Sequence, residues 1–376
     1  MVELIRAAKA ATMIPGTPVI NDAAIIVDQG IIQKVGTYAD LGPTFSGKVM
    51  DLGDVFLVPG LINAHSHLEL AHLRGKCPSG KGFVTWVENL LKQPIFDLDP
   101  EALESACQEL KRTGTFMVGD IATRFAKEMA GTLEASGLFF VVFCEAIGET
   151  VPKKTFIPQG EFEAGLISVA GHSLYTTHRD VLRAAKAETR LKGLPFSLHL
   201  AEHDEEVAIM ADAPSEFLDM LHARGRLLDF EPPGKRPVQQ AAALELLDET
   251  TLAVHCVKVT DADIETVRQS GATVCLCPRS NEFIGVGRAP WEKWLASGTP
   301  LCLGTDSLAS NTDLDLWNEA VYLTQNFDGE LRFDDVLAMM TRTPAKIMGV
   351  EHLLGTLEPG KIAAFAEVPD KIHDLF

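Results

Sequence analysis

The 376-residue chain has no apolar run long enough to cross a membrane. Its most apolar stretch, Leu138 to Cys144, falls far short of the ~20 residues a spanning helix needs. The first residues, MVELIRAAKAATMIPG, lack the long apolar core and cleavage site of a signal peptide. Positive charge is scarce as well: 33 basic residues stand against 52 acidic ones, a formal net charge of -19. That balance repels phosphate backbones and anionic lipid, so neither nucleic acid nor a membrane surface is an expected partner. Cys77, Cys107, Cys144, Cys256, Cys275, Cys277 and Cys302 are odd in number and partly embedded in apolar runs such as ATVCLCP. Buried free thiols in a reducing cytoplasm are expected, and no disulfide framework. Cys275 and Cys277 have no second pair nearby to complete a cysteine zinc site. Short repeats and low-complexity linkers are absent too.

What is present is a large apolar fraction, 46%, enough for one large domain and a smaller one. AAIIVDQGIIQKVG reads as a hairpin turning at Asp28-Gln29-Gly30, and Val49 to Val58 as one further strand. LLGTLEPGKIAAFAEV, near the other end, has the same texture. The two ends are expected to pair as a small β-sandwich domain, 1–56 with 356–376, around a domain spanning 57–355. In that middle part the runs LVPGLINAH, TFMVGD, FFVVFCEA, LISVAGHS, PFSLHLAEH, TLAVHC, ATVCLCP and PLCLGTDS alternate with amphipathic segments such as ALESACQELKRTG and RDVLRAAKAETRLKG. Eight such alternations predict a (β/α)8 barrel of the TIM type, an α/β fold. The segment Pro214 to Pro237 reads as one long irregular stretch after the fifth strand, where a lid sits.

Ionisable residues gather at the C-terminal ends of these runs: His65 and His67 on the first, His172 on the fourth, His199 and Glu202 on the fifth, His255 on the sixth, Asp306 on the eighth. A closed barrel brings those ends to one mouth, where barrel enzymes place their chemistry. His65 and His67, two apart on a strand, face the same way. With His199 and Asp306 they make a three-nitrogen, one-oxygen set suited to one divalent metal, zinc first and Fe(II) second, with room for a water. Glu202, just past His199, is placed to act as a general acid/base. His255 is placed to hydrogen-bond the water beside Asp306, and His172 to donate to a substrate ring nitrogen. His178 is expected to cap a helix and His203 to be structural. His72, His222, His352 and His373 read as surface or packing residues.

PGLINAHSH, HLAEH, LAVHC and LGTDSLASN, in that order, resemble the amidohydrolase superfamily, in its cytosine/adenosine deaminase and chlorohydrolase-like branch. The resemblance spans nearly the whole chain, ending with TPAKIMGVEHLLGTLEPGK at the return into the small domain. It implies a mononuclear site with His65, His67, His199 and Asp306 as ligands, Glu202 as proton shuttle and His255 as the group orienting water. No lysine ends a strand where a carbamylated bridge between two metals would need one. Ala364 departs from the aspartate usual at its place. NAHSHLEL, CPRSNEFIGVGRAP and LGTDSLASN look in addition like aminodeoxyfutalosine deaminases of the alternative menaquinone route, whose adenine nucleoside carries a benzoate. Deaminases of S-adenosylhomocysteine, methylthioadenosine and adenosine share much of that frame. Guanine deaminases and chlorohydrolases are the next alternatives, and a metal-stapled binding protein is the reading of another class.

The expected reaction is thus hydrolysis at the amidine carbon of a purine-like ring, with ammonia released and aminodeoxyfutalosine as the first expected substrate. For substrate contacts, Glu69 is a candidate for a sugar hydroxyl or for a structural salt bridge. Arg279 is a candidate for a substrate carboxylate or for holding its own loop to an acidic neighbour. Trp86 either lines the pocket or packs a helix. Dimers are common in this branch, so a homodimer is a further expectation of the resemblance.

Overall fold

The computed structural model describes residues 2–224, 231–373 and 375. Its N-terminal part is a run of short strands: β1 (Val2–Ala10), β2 (Ile20–Asp28), β3 (Ile31–Thr37), β4 (Lys48–Asp51) and β5 (Phe56–Pro59). The β2–β3 hairpin turns at Gln29 and Gly30, both at positive φ, as its sequence predicts. The stretch read as one strand from Val49 to Val58 is two, β4 and β5. The chain leaves extended geometry at Gly53, φ 70°, so β4 pairs with the start of β1 and β5 with its end. The C-terminal strand, β14 (Phe365–Glu367), returns to pair antiparallel with β5. These six strands form one mixed sheet over a small core of Ala7, Ala10, Ile25, Ile32, Leu57 and Leu357.

The remaining strands are β6 (Leu61–Ser66), β7 (Thr115–Ala122), β8 (Phe139–Ala146), β9 (Gly165–Gly171), β10 (Phe196–Leu200), β11 (Thr251–His255), β12 (Thr273–Leu276) and β13 (Leu301–Leu303). They run in sequence order in one eight-stranded parallel sheet. The amide of Asp306 donates to the His65 carbonyl at 3.0 Å, and Ser66 bridges to Asp306, closing the sheet on itself. The seam demands Gly304: a Cβ there would lie 2.7 Å from the His65 Cβ. Asn63 and Thr305 fasten the same seam with two buried hydrogen bonds. The architecture is the expected (β/α)8 barrel beside a sheet built from both chain ends.

Helices follow the predicted periodicity because their ends carry capping chemistry. Pro100–Arg112 starts on Asp99, whose carboxylate accepts from the amides of Glu101 and Ala102, with Pro100 in the first turn. Arg179–Lys192 and Asp261–Ser270 end on left-handed glycines, Gly193 and Gly271. The Pro214–Pro237 stretch is less irregular than its composition suggests. Ser215 caps a helix over Glu216–Ala223 by accepting from the Leu218 amide. Phe217 in that helix packs edge-on against Tyr175 and Phe83. Residues 225–230 lie outside the described residues. No helix among the described residues is long and apolar enough to cross a membrane.

Candidate metal centre and active site

The strand ends do converge. The Nε2 atoms of His65 and His67 lie 3.2 Å apart, and a nitrogen of His199 joins them so that one ligand atom from each falls within 4.8 Å of the others. Asp306 Oδ1 stands 3.4 Å from His67 Nε2 and 3.7 Å from His65 Nε2. The arrangement fits a divalent cation on donor chemistry. Burial, together with the neighbouring His65, lowers the His67 pKa to about 3, so its ring is neutral with a lone pair to give. Burial and the same neighbours hold His199 well below its ordinary value. The Nδ1–H of His199 donates to the His172 carbonyl at 2.9 Å, which leaves Nε2 as the ligating atom. Burial opposes ionisation of Asp306, but the surrounding imidazoles outweigh it and keep the carboxylate charged.

Asp306 is fixed by residues that the sequence reading passed over. Its Oδ2 accepts from the Ser280 hydroxyl at 2.6 Å and the Ser310 hydroxyl at 3.0 Å, leaving Oδ1 toward the histidines. Asn281 does the same for His255: its Oδ1 accepts the Nδ1–H at 3.0 Å, so Nε2 faces the site. That Nε2 lies 3.8 Å from Glu202 Oε1. Burial disfavours the imidazolium, yet Glu202, Cys277 and Asp306 around it raise the His255 pKa to about 10. Burial likewise raises the carboxyl of Glu202. Glu206 positions Glu202 from below, accepting the amides of Ala201 at 3.0 Å and Glu202 at 2.8 Å. Only Ser310 and Glu206 stand near their partners in sequence, four residues from Asp306 and from Glu202, whereas Ser280 and Asn281 are 26 residues from Asp306 and His255. Ala201, His255 and Asp306 all sit at positive φ, 52°, 71° and 58°. Backbone strain of this kind concentrates at functional sites, and here it falls where the strands must release a side chain into the mouth.

The remaining sequence candidates are placed as follows. His172 stands beside His199, ring centroids 5.7 Å apart, with its Nδ1 on the Thr176 hydroxyl. Glu69 is engaged by its own neighbourhood: its carboxylate accepts the amides of Thr123, Arg124 and Phe125. Among the described residues it makes no salt bridge, and both of its carboxylate oxygens are engaged by amides. Arg279 forks onto Asp313, 2.7 Å from each oxygen, and faces Glu319 at 3.6 Å. Of its two readings, holding the loop is the one its geometry satisfies. Trp86 donates its indole N–H to the Ala309 carbonyl at 2.9 Å and packs among apolar side chains. His178 and His203 cap the helices that follow them, and His203 also meets the Tyr175 hydroxyl at 2.9 Å. All seven cysteines are free, and Cys275 and Cys277 stand outside the three-histidine donor group.

The amidohydrolase family profile matches residues 56–373. A 5-methylthioadenosine/S-adenosylhomocysteine deaminase of Nitratidesulfovibrio vulgaris (strain Hildenborough) is 30% identical over 333 residues, covering 84% of this chain and 71% of that protein. The protein of the same name from Desulfovibrio desulfuricans is 30% identical over 388 residues, covering 96% and 82%. Among solved structures, Helicobacter pylori aminofutalosine deaminase in complex with methylthio-coformycin superposes with a TM-score of 0.86 at 22% identity, over 99% of this chain and 95% of that one. A Xanthomonas campestris adenosine deaminase with bound zinc gives 0.81 at 24% identity, over 97% and 84%. These two are likenesses of fold. The family uses a divalent metal, and the cluster of His65, His67 and His199 fits one. The chain belongs to the amidohydrolase family and is a hydrolase acting on C–N bonds.

Proposed function

We propose that the protein is a zinc-dependent deaminase of adenine nucleosides substituted at the 5′ carbon, acting in the cytoplasm through its 57–355 barrel. The observation that carries the reading is Glu202 facing His255 at 3.8 Å above the histidine cluster. A purely structural metal site needs neither group, whereas moving a proton onto a ring nitrogen needs a poised carboxyl. The names of the curated relatives support the adenine ring and the 5′-thio substituent. S-adenosylhomocysteine and methylthioadenosine stand ahead of aminodeoxyfutalosine, because the Arg279 guanidinium that a benzoate would call for is taken up by Asp313.

His65, His67, His199 and Asp306 are the proposed ligands. When bound, the metal supplies Lewis acidity that makes water nucleophilic near neutral pH. Glu202, with its carboxyl raised by burial, holds the proton that the ring nitrogen takes as the amidine carbon is attacked. His255, aimed by Asn281, orients the attacking water, and Asp306, aimed by Ser280 and Ser310, receives its proton. Glu202, now a carboxylate, takes the hydroxyl proton of the attacked carbon and passes it to the amine, which leaves as ammonia, and the proton on Asp306 restores the Glu202 carboxyl. His172, at the edge of the cluster, is the proposed donor to the purine.

Ammonia release from S-adenosylhomocysteine, methylthioadenosine, adenosine, aminodeoxyfutalosine and guanine tests the reading. The 5′-thio nucleosides are expected to turn over with the highest kcat/KM. Turnover of guanine alone, or of no member of the panel, contradicts it.

A further inference from the structure

Glu145, near the end of β8, is a buried acid that the mechanism leaves unused and that stands next to a proposed metal ligand. Its side chain is 2% exposed, and Oε1 has no hydrogen-bond partner. Leaving a buried carboxylate oxygen unsatisfied is costly, so its retention calls for a reason. Oε1 is shut off from solvent and cannot meet a substrate in the mouth. It lies instead 4.0 Å from Nδ1 of His199, on the side of the ring away from the metal cluster. The other oxygen, Oε2, accepts from the Thr123 hydroxyl at 2.7 Å. The Thr123 amide in turn is one of the three that Glu69 holds, and Glu69 follows His67 by two residues. A continuous polar chain therefore runs from the His67 segment through Glu69, Thr123 and Glu145 to the back of His199.

We propose that Glu145 is a positioning residue of the metal centre, acting through His199. The His172 carbonyl fixes the direction of the His199 ring by accepting its Nδ1–H. Glu145 adds a negative charge behind that N–H, which stabilises the positive charge the imidazole acquires when Nε2 gives its lone pair to a cation. Thr123 keeps the carboxylate turned that way, and Glu69 keeps Thr123 in place. The inference rests on the three-histidine metal reading and not on the identity of the substrate.

The test is the dissociation constant of Zn²⁺, measured by chelator competition on wild type and Glu145→Gln, with the visible absorption of the Co²⁺-substituted protein as a second readout. Glu145→Gln keeps the shape and an acceptor for Thr123 but removes the charge. Zinc binding is expected to weaken roughly 10- to 100-fold, and the cobalt bands to shift, while the thermal midpoint of the metal-free protein does not fall. An unchanged zinc Kd overturns the proposal, including the case where only KM for a nucleoside rises. If Glu145→Gln does not fold, Thr123→Val decides, because it releases the carboxylate without removing it. Several-fold weaker zinc binding supports the coupling, and wild-type binding overturns it. Since no substrate enters either measurement, failure of the deaminase reading leaves this result interpretable.

Discussion

His65, His67, His199 and Asp306 stand on or just beyond strand ends, whereas Glu69, Arg279 and Trp86 stand on the connections around them, and the two groups keep different company. On the strands, hydrogen bonds reach the back of a side chain and leave its front bare. Ser280 and Ser310 take one oxygen of Asp306, the His172 carbonyl takes Nδ1 of His199, and Asn281 takes Nδ1 of His255. On the rim the polar groups are satisfied by the protein itself: three amides for Glu69, Asp313 for Arg279, a carbonyl for Trp86. The proposed chemistry draws on the first set, and the contacts of the second hold the loops around it.

The largest expected effect breaks the first set at its centre. Glu202→Gln should bind zinc as wild type does and lose on the order of 10²–10⁴ in turnover, the range for a positioned acid/base. Metal analysis beside steady-state ammonia release checks both halves, and near-normal turnover sinks the role given to Glu202. Next, Asn281→Leu frees His255 to rotate. A drop in kcat of roughly 10- to 100-fold is expected, the worth of one hydrogen bond to a charged group, with the zinc Kd unaltered. Arg279→Met sharpens the comparison from the rim side. Removing the guanidinium leaves Asp313 and the buried Glu319 without their cation, so stability should fall by about 1–3 kcal/mol. The ratio of KM for carboxylate-bearing and uncharged nucleosides should not move. A selective rise in KM for the carboxylate-bearing substrate would return Arg279 to the substrate.

The smallest effect lies at the opposite end of the barrel, where a buried ion pair serves structure alone. Lys186 Nζ donates to Asp248, Thr250 and Thr251, beneath the start of β11. Burial opposes ionisation of Asp248, but hydrogen bonds from Lys186, Thr250 and Arg190 outweigh it and depress its pKa below the ordinary 3.8. A carboxylate depressed in the folded state stabilises above its unfolded value, and the benefit disappears as pH falls toward the folded one. The Tm of wild type should therefore decline more steeply below about pH 4 than that of Asp248→Asn. Parallel acid limbs would contradict the pairing.

The sequence carried the barrel because its strands are buried on both sides and read as unbroken apolar runs, against which each terminal histidine stands out. The same contrast exposed the floor of the site. Ser280, Ser310 and Asn281 were harder to see, since a serine or asparagine in a turn is ordinary until the fold shows which carboxylate or imidazole it meets. Glu145 was hidden for a related reason: in FFVVFCEA it reads as the polar end of a strand, and only the pairing of β8 and β10 on either side of β9 brings it behind His199. Glu69 and Arg279 suggested ligands by type, but their partners, Phe125 and Asp313, lie far along the chain. The Pro214–Pro237 stretch read as irregular because its prolines and glycines mask a helix set by one serine cap.

The central claim is that the strand ends make one divalent-metal centre. Calorimetric titration of metal-free protein with Zn²⁺, on wild type and His199→Ala, tests it most directly. One ion per chain on wild type, with binding lost or weakened by several orders of magnitude in the variant, is the predicted result. Two ions per chain, or a His199→Ala variant that binds zinc as tightly as wild type, would contradict it.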